Sequence, residues 1–499
     1  MNDDEAKCGL VLGLNKIKEI LIKSNLLIEC NIIDEDINYI SYDSRNIERN
    51  TLFFCKGMYF KEEYLKEAIE KGSIAYVSEQ KYKTEDTSYF IVSNVLKAMG
   101  IISLEFFNYP DRNLEKIGVT GTKGKTTVTY FLNNILEEYT NSRPGLISSI
   151  WTYTGAKDEE SHITTPEAME IEKSFYEMVR SNIKNVTMEV SSQSYKRSRL
   201  EGVEFEYGLF LNIDKDHISK LEHPNFEDYL NCKLEFLKHC KNVLINKDTK
   251  HLEEVLKAVK GKNVVFFGSN NDADYYVTEI IKEENGFSFI VKNDRLRYSK
   301  RFNIKMQGRF NIENALAAIS VCKMLNIDDE IIQKGLLKTK VPGRMTIYEK
   351  SGITVIIDYA HNKLSFEKLY ESLKTDYPNR RIISVGGTVG GKAYNRREEF
   401  GKIVGQASDY IYLTADDPQF EKTEDICRDI GKYIDDKSKF EIIKDRKRAI
   451  NKAITNSRSG DVIVLLSKGT DRYQRIKNKD VPYESDVKIV EKKLKIMRA

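Results

Sequence analysis

The segment of this chain with the most specific chemistry is a short run of glycine, lysine and threonine: Gly121, Thr122, Lys123, Gly124, Lys125, Thr126 and Thr127. Glycines let backbone N–H groups close around phosphate oxygens, and a helix that begins there adds its positive N-terminus. Lys125 is placed to reach the terminal phosphates, and the Thr126 hydroxyl is placed to contact Mg²⁺. The run therefore predicts a site for ATP and Mg²⁺, although Val119 stands where the strict P-loop pattern has glycine.

A nucleotide-dependent switch is one alternative function for such a loop. A GTPase would need Asn or Thr, then Lys, any residue and Asp after a strand, in order to read guanine. The corresponding run here is Asn246-Lys247-Asp248-Thr249, which places the aspartate one position early. We interpret it as a near match and favour an enzyme that uses ATP.

Two further polar side chains follow short apolar runs that are typical of strands. Glu189 lies at the end of the run 186–190, and His217 follows the run 209–212. Open α/β sheets bind ligands at the carboxyl ends of their strands, and carboxylates suit a hard cation such as Mg²⁺. We therefore expect both residues beside the phosphate loop. Lys233 lies in the helical pattern 226–238, where the simplest interpretation is a lysine whose stem covers apolar surface and whose ammonium stays in water.

The elements around these residues predict an α/β protein. A strand pattern at 116–120 precedes the phosphate loop, a helical pattern at 126–136 follows it, and strands and helices continue to alternate. Such alternation predicts a doubly wound, mainly parallel sheet with helices on both faces. Residues 272–301 instead alternate polar and apolar side chains around Asn285-Gly286, which predicts an antiparallel hairpin attached to that sheet.

Two breaks divide the chain into three predicted domains. Asn108-Tyr109-Pro110-Asp111 ends a small α/β unit, and Val341-Pro342-Gly343 precedes a second series of strands and helices. The predicted domains are residues 1–113, residues 114–340 with a P-loop-type doubly wound fold, and residues 341–499 with a Rossmann-like fold. A chain of 499 residues is too long for one compact core, which agrees with this division.

The charges of the chain are balanced and interspersed, with Lys+Arg 79, Asp+Glu 76 and a formal net charge of +3. A nucleic-acid binder carries a concentrated basic face, so we expect no nucleic-acid partner. No stretch approaches the roughly 18 apolar residues of a membrane span, and the acidic start MNDDEAK is unlike a signal peptide. We therefore expect a cytoplasmic monomer that does not contact the membrane.

Several motifs, in this order, resemble the Mur ligases of peptidoglycan synthesis. The motifs are Asp43-Ser44-Arg45, Val119–Thr127, Thr164-Thr165-Pro166-Glu167, Met188–Ser192, Asn212–His217, Tyr229–Phe236, Val341–Met345, Asp358–His361, Lys468-Gly469 and Tyr473-Gln474. The resemblance covers nearly the whole chain and is greatest to the family member that adds the third residue of the peptide. It implies an N-terminal domain for the UDP-sugar, a central ATPase domain and a C-terminal domain for the incoming amino acid.

The resemblance also implies a reaction. ATP would phosphorylate the terminal carboxylate of a UDP-N-acetylmuramoyl-peptide, with L-Ala-D-Glu as the expected peptide. The amino group of an amino acid would then attack the acyl phosphate, giving an amide, ADP and phosphate. Lys125, Mg²⁺ and Arg344 would stabilise the charge on the phosphoryl oxygens.

Motif position implies roles for the remaining residues. Glu189 and His217 resemble Mg²⁺ ligands, and Lys233 matches the lysine that the family carbamylates into a further metal ligand. With Lys125 and Arg344, His217 and Lys233 complete the implied catalytic set. The implied nucleotide contacts outside the loop are Asn311, Arg344 and His361; Ser44 would lie at the uridine diphosphate, and the muramoyl-peptide would contact Thr164, Thr165, Ser191 and Arg199.

The chain departs from the family at the site of the incoming amine. Enzymes that take meso-diaminopimelate carry Asp-Asn-Pro-Arg, whose arginine binds the distal carboxylate; this chain has Asp416-Asp417-Pro418-Gln419. Diaminopimelate is therefore disfavoured, while Asp416 and Asp471 remain as contacts for an amine. In the family, a glycine loop brings another arginine to the carboxylate of the amino acid. The corresponding loop of this chain contains Val389 and lacks that arginine, so the candidate substitutes are Lys392, Arg396 or Arg397.

Two alternatives stay open at this point. The protein is either a third-residue ligase with an unusual amino acid, or a paralogue that joins another amine or another acceptor in a different pathway.

Overall fold

Three large sheets follow one another in the described part of the chain, and each carries helices, so the predicted α/β fold class is confirmed. The computed structural model describes residues 10–33, 36–57, 60–219 and 222–496. The domain boundaries drawn from the sequence remain a prediction. In the described residues, no helix combines the length and the apolar character needed to cross a bilayer.

The N-terminal sheet has five strands in the order β2-β7-β6-β5-β4, and a separate pair joins β1 to β3. The strands are β1 (Leu12–Gly13), β2 (Leu27–Asn31), β3 (Asp36–Ile37), β4 (Tyr39–Ser41), β5 (Thr51–Phe54), β6 (Ser73–Ser78) and β7 (Ser88–Val92). The helices are α1 (Leu14–Lys23), α2 (Glu62–Glu70) and α3 (Val95–Phe106), and a 3-10 turn follows at Pro110–Asn113.

The central sheet has eleven strands. They are β8 (Glu115–Thr120), β9 (Gly145–Ile147), β10 (Trp151–Tyr153), β11 (Asp158–Glu160), β12 (Asn185–Glu189), β13 (Phe205–Phe210), β14 (Cys240–Asn246), β15 (Asn263–Gly268), β16 (Tyr275–Glu283), β17 (Gly286–Asn293) and β18 (Tyr298–Ile304). The order is β11-β10-β9-β12-β8-β13-β14-β15-β16-β17-β18, parallel from β9 to β16. Its helices are α4 (Lys125–Thr140), α5 (Ala168–Arg180), α6 (Gln193–Lys196), α7 (Phe226–Lys238), α8 (Leu252–Ala258), α9 (Phe310–Met324) and α10 (Asp329–Lys338).

Strand β8 shows why helices cover both faces of this sheet. Successive side chains of a strand point to opposite faces, and Ile117 and Val119 belong to the core that α4, α9 and α10 complete. On the other face α7 packs so closely that a Cβ added to Gly118 would lie 2.6 Å from Phe236 Cζ. The phosphate loop that follows β8 is therefore held between two packed layers.

The predicted hairpin at 272–301 is in fact a three-stranded antiparallel meander. The turn at Asn285-Gly286 joins β16 to β17 as expected, but β18 adds a further strand, and Phe289 pairs with Phe302. The prediction was wrong in strand number because β18 carries polar side chains on its open face and buries few apolar ones, so its period is weak in the sequence.

The C-terminal sheet has six strands in the order β19-β20-β24-β21-β22-β23. The strands of this region are β19 (Thr346–Lys350), β20 (Ile353–Asp358), β21 (Ile382–Gly386), β22 (Tyr410–Leu413), β23 (Phe440–Ile442), β24 (Val462–Leu466) and the separate pair β25 (Tyr473–Ile476) and β26 (Lys479–Pro482). The helices are α11 (Lys363–Asp376), α12 (Asn395–Ala407), α13 (Thr423–Lys432), α14 (Arg446–Thr455) and α15 (Asp486–Ile496), with a 3-10 turn at Lys437–Lys439.

Candidate active site

The phosphate loop connects the end of β8 at Thr120 to the start of α4 at Lys125, as the sequence predicts. Gly124 precedes the helix with φ 89°, a left-handed conformation, and an added Cβ there would lie 2.5 Å from Asn314 Oδ1. The backbone N–H of Lys123 donates to Asn212 Oδ1 over 2.8 Å. Because Asn212 follows β13, the loop is fixed to the end of the neighbouring strand.

The ammonium of Lys125 lies over this loop. Its Nζ donates to the carbonyl oxygen of Gly121 over 3.0 Å and to that of Thr122 over 3.4 Å. Burial lowers the pKa of Lys125, while the carboxylate of Glu189 acts in the opposite direction. A partly desolvated cation in this position can interact strongly with the oxygens of a bound phosphate.

Glu189 ends β12, which pairs in parallel with β8, so its carboxylate lies at the sheet edge that carries the loop. Both of its oxygens accept hydrogen bonds from Ser149: Oε1 from the backbone N–H at 2.7 Å and Oε2 from the hydroxyl at 3.0 Å. Ser149 was not predicted from the sequence because no motif contains it. The available signal was its position just after β9, a strand of the same parallel set.

Helix α7 packs beneath the phosphate loop. The Tyr229 hydroxyl lies 3.0 Å from Thr122 Oγ1, and Lys233 Nζ donates to the carbonyl oxygen of Gly121 over 2.9 Å. Lys233 is 2% exposed, so the interpretation of a lysine with its ammonium in water was wrong. The reason is the helix period, which places it one turn after the buried Tyr229 on the face directed at the loop.

Burial, with the nearby cation of Lys125, lowers the pKa of Lys233 well below its ordinary value. The neutral amine is thereby favoured. Neutral lysine is the nucleophilic form, which is what carbamylation by carbon dioxide requires.

His217 lies beyond the end of β13, beside the same loop. Its Nδ1 is 3.2 Å from Glu222 Oε1, and its backbone has φ 57°. In the part of the chain that the structure describes, Nε2 makes no hydrogen bond, and Asp216 Oδ2 lies 3.8 Å away from it. An imidazole with one nitrogen so held and the other free is suited to ligate a metal ion.

A cleft between the central and C-terminal sheets, the first cleft, brings most of the predicted nucleotide contacts together. Its lining includes Thr122, Lys123, Gly124, Lys125, Thr126, Thr127, Glu189, His217, Asn314, Arg344 and His361. Asn311 does not line the cleft. Its Nδ2 donates to the carbonyl oxygen of Gln307, and its Oδ1 accepts from Asn314, which is the residue that reaches the cleft.

His361 and Arg344 enter the first cleft from the C-terminal region. His361 Nδ1 donates to the Tyr359 carbonyl oxygen over 2.6 Å, so Nε2 is the acceptor for Lys123 Nζ at 3.3 Å. Burial and the charge of Lys123 lower the pKa of His361 well below its usual range. Burial also lowers the pKa of Lys123 to about 7. The Arg344 guanidinium lies 4.8 Å from the centre of the Tyr359 ring.

A second cleft adjoins the first and shares Lys125, Thr164 and His217 with it. Its other lining residues include Ser191, Arg199, Glu222, Lys233 and Lys392.

Two of the predicted substrate contacts support the wall of the second cleft. Arg199 Nη2 lies 2.7 Å from Glu167 Oε1, and its Nη1 donates to the carbonyl oxygen of Thr165. Thr165 is buried and donates to the carbonyl oxygen of Glu189 over 3.0 Å. Ser44 lines neither cleft, and its hydroxyl donates to Glu67 over 2.6 Å.

An acidic cluster lies at the carboxyl ends of β22 and β24. Lys468 Nζ is 2.9 Å from Asp417 Oδ1 and 3.0 Å from Asp471 Oδ2. Burial and the neighbouring Asp417 raise the pKa of Asp416 to about 7. Lys468 and the Arg446 guanidinium both act on Asp416, but Arg446 is already paired with Asp486. Three carboxyl groups therefore share one ammonium that has no other carboxylate partner among the described residues, which leaves the cluster able to accept another cation.

The three basic residues proposed as substitutes for the missing arginine have different surroundings. Arg396 Nη2 lies 2.8 Å from Asp216 Oδ1. Arg397 is held between Glu421 and Asp429 at 2.8 and 2.7 Å. Only Lys392 lines the second cleft, where Glu222 Oε1 is 4.0 Å from its Nζ. Lys392 is therefore the substitute that the geometry supports.

The donor set partly fits Mg²⁺. The hydroxyl of Thr126, the carboxylate of Glu189 and the imidazole of His217 all border the first cleft. An unmodified Lys233 offers at most one amine nitrogen, which is a poor ligand for Mg²⁺, whereas a carbamate on Nζ would offer the oxygen ligands that Mg²⁺ prefers.

Comparison with known proteins shows two family matches. Residues 119–322 match the Mur ligase middle domain, and residues 343–469 match the Mur ligase glutamate ligase domain. The UDP-N-acetylmuramyl-tripeptide synthetase of Ligilactobacillus salivarius is 38% identical over 95% of this chain and 98% of its own length. The UDP-N-acetylmuramoyl-L-alanyl-D-glutamate–L-lysine ligase of Enterococcus faecalis is 36% identical over 91% of each chain.

Solved structures with the same fold include a UDP-N-acetylmuramoyl-L-alanyl-D-glutamate–2,6-diaminopimelate ligase, with a TM-score of 0.64 and 22% identity over 97% of this chain and 99% of that one. The MurF ligase of Thermotoga maritima in complex with ADP has a TM-score of 0.62 and 20% identity over 86% of this chain and 93% of that one. At these identities, the likeness concerns the fold alone.

Proposed function

The chain belongs to the Mur ligase family and is an ATP-dependent acid–amino-acid ligase, and we propose that it joins L-lysine to UDP-N-acetylmuramoyl-L-Ala-D-Glu. The acceptor is supported by the names of the relatives, which match along nearly the whole chain. That coverage favours the third-residue ligase over a paralogue with another acceptor. Because the family consists of ligases, a nucleotide-dependent switch is no longer a competing function.

The acidic cluster is the observation that carries the choice of amine. A basic side chain would be attracted to Asp416 and Asp471, where Lys468 balances only part of the negative charge. Diaminopimelate would instead bring an additional carboxylate, and Gln419 stands where an arginine would bind it. Relatives named as L-lysine ligases support the same substrate.

The proposed mechanism follows from the charges around the two clefts. The acceptor carboxylate attacks the terminal phosphorus of ATP, the bond to ADP breaks, and an acyl phosphate forms. Lys125 and Arg344 stabilise the negative charge on the phosphoryl oxygens. The amino group of lysine then attacks the acyl carbon and loses a proton, and phosphate leaves with the C–O bonding pair.

Mg²⁺ would screen the phosphate oxygens and align them for transfer. The proposed ligands are Thr126, Glu189, His217 and a carbamylated Lys233.

We assign the nucleotide to the first cleft and the peptide end of the acceptor to the second cleft, beside Thr164, Ser191 and Arg199. On this proposal, residues 1–113 bind the UDP-sugar with Ser44 at the diphosphate, residues 114–340 bind ATP, and residues 341–499 bind the amino acid.

Phosphate release with UDP-N-acetylmuramoyl-L-Ala-D-Glu and a panel of L-lysine, L-ornithine and meso-diaminopimelate tests this function directly. We expect release that needs both acceptor and amine and is fastest with L-lysine. Preference for diaminopimelate would overturn the choice of amine. Equal hydrolysis with and without acceptor would overturn the ligase mechanism.

Replacing Lys392 by methionine should weaken recognition of the carboxylate of the incoming amino acid. We expect the KM for L-lysine to rise about tenfold, the loss of roughly 1.4 kcal/mol of transition-state binding. The wild-type enzyme should prefer L-lysine to L-lysinamide, which lacks the carboxylate, and Lys392→Met should lose most of that preference. Lys402→Met, at an exposed lysine paired with Glu398, is the control. An unchanged preference in Lys392→Met would contradict the assignment.

The KM for L-lysine should rise as the pH falls through about 7. Burial and Asp417 hold the pKa of Asp416 at about 7, so above this pH the carboxylate is ionised and attracts a cationic side chain. Below it the protonated form dominates and that attraction is lost. Steady-state KM, measured from about one pH unit below this pKa to about one unit above it, should follow this direction. Asp416→Asn should have a high KM that hardly varies with pH.

A further inference from the structure

Asp216 lies where the central and C-terminal sheets meet, and it is held from both sides. Its Oδ1 is 2.8 Å from Arg396 Nη2, and its Oδ2 accepts from the side-chain amide of Asn362. Lys123 of the phosphate loop lies 3.7 Å from the same Oδ2. One carboxylate therefore joins the loop that binds phosphate to two positions of the C-terminal region.

These groups are removed from water. The side chain of Asp216 is 3% exposed and that of Arg396 is 9% exposed. If the two regions separated, both charges would become hydrated, whereas the loss of one partner in the assembled state would leave the other charge buried and unpaired. The ion pair between Asp216 and Arg396 therefore forms only while the C-terminal region is packed on the central sheet.

The positions of the three residues along the chain give this contact a functional meaning. Asp216 precedes His217, and Asn362 follows His361. Arg396 lies in the first turn of α12, just after the loop that carries Lys392. The contact therefore fixes, at one point, the segments that supply groups to both clefts.

We propose that Asp216, Arg396 and Asn362 form a clasp that seats the C-terminal region over the phosphate loop and positions Lys392 for the incoming amine. This rests on the proposed function. Arg396 is a positioning residue, since it would act through Lys392 and not on the substrate. Through the clasp, the position of Lys392 at the amine depends on the position of the C-terminal region over the phosphate loop. The acyl phosphate therefore forms where the amine can attack it before water does.

A second buried arginine, whose ion pairs lie within the C-terminal region, provides a matched control for Arg396. Arg397 is the next residue on α12, its side chain is 6% exposed, and its carboxylate partners Glu421 and Asp429 both belong to the C-terminal region. Loss of Arg397 would disturb that region alone. Loss of Arg396 would also release its contact with the phosphate loop.

The test compares Arg396→Met, Arg396→Lys and Arg397→Met in the full-length enzyme with ATP, UDP-N-acetylmuramoyl-L-Ala-D-Glu and L-lysine. We expect Arg396→Met to raise the KM for L-lysine about tenfold and to raise the ratio of phosphate released to amide formed several-fold. Arg396→Lys should recover part of the coupling. Asp216→Asn combined with Arg396→Met should be no worse than the poorer single variant, because the two residues act as a pair.

Thermal unfolding separates coupling from stability. Arg397→Met should lower the melting temperature about as much as Arg396→Met while keeping one phosphate per amide. The clasp is rejected if the two arginine variants have the same phosphate-to-amide ratio, or if Arg396→Met loses only melting temperature. If the wild-type enzyme itself forms no amide, the proposed function fails first.

Discussion

Replacing Lys125 by alanine should lower the rate of amide formation by about 10³-fold, which corresponds to roughly 4 kcal/mol of transition-state stabilisation. The reason is the position of its ammonium, which lies partly buried over the phosphate loop and donates to the Gly121 and Thr122 carbonyl oxygens. In such a partly desolvated place a positive charge acts more strongly on phosphoryl oxygens than it would in water. Steady-state phosphate release and product chromatography, with acceptor and L-lysine present, measure the effect.

Lys402→Ala provides the comparison, because Lys402 is exposed and pairs only with Glu398 among the described residues. It should keep the wild-type rate. Circular dichroism and thermal unfolding should show that Lys125→Ala is folded. A rate for Lys125→Ala within about threefold of wild type, under 1 kcal/mol, would refute the role of Lys125 in phosphoryl transfer.

The phosphate loop could be predicted from the sequence because its chemistry is local. Backbone N–H groups, two glycines and a lysine at the start of a helix are determined by adjacent residues, and the strand before Gly121 and the helix from Lys125 are where the pattern places them. The same holds for Glu189, since strand ends of a parallel sheet share one edge. The local residue pattern and the sheet topology were together sufficient to predict the positions of the phosphate loop and Glu189.

What the sequence did not predict depends on contacts between distant segments. Ser149 binds both oxygens of Glu189 from an irregular connection, and Asp216 contacts Arg396 across 180 positions. Neither contact produces a hydrophobic period or a motif spacing that could be recognised in a single sequence. The helix period does place Lys233 one turn after the buried Tyr229, but the phosphate loop that covers its ammonium comes from a remote segment of the sequence.

Lys233→Ala should lower turnover by about 10²-fold or more, because it removes a proposed ligand of Mg²⁺. The structure supplies the conditions for that ligand to form. Burial lowers the pKa of Lys233, so the neutral amine can add to carbon dioxide. The new N–C bond and the loss of one proton convert a hydrogen-bond donor into a carboxylate-like group, while the remaining N–H can still donate to the Gly121 carbonyl oxygen.

This prediction has readouts that simple loss of packing would not produce. Wild-type enzyme with isotope-labelled bicarbonate should show a carbamate resonance that is absent in Lys233→Ala. Added acetate should restore part of the lost turnover by supplying a carboxylate in the space left by the side chain. Lys238→Ala, at an exposed lysine on the same helix, should behave as wild type. Fully active enzyme carrying an unmodified amine at Lys233 would show that the metal site is built without it.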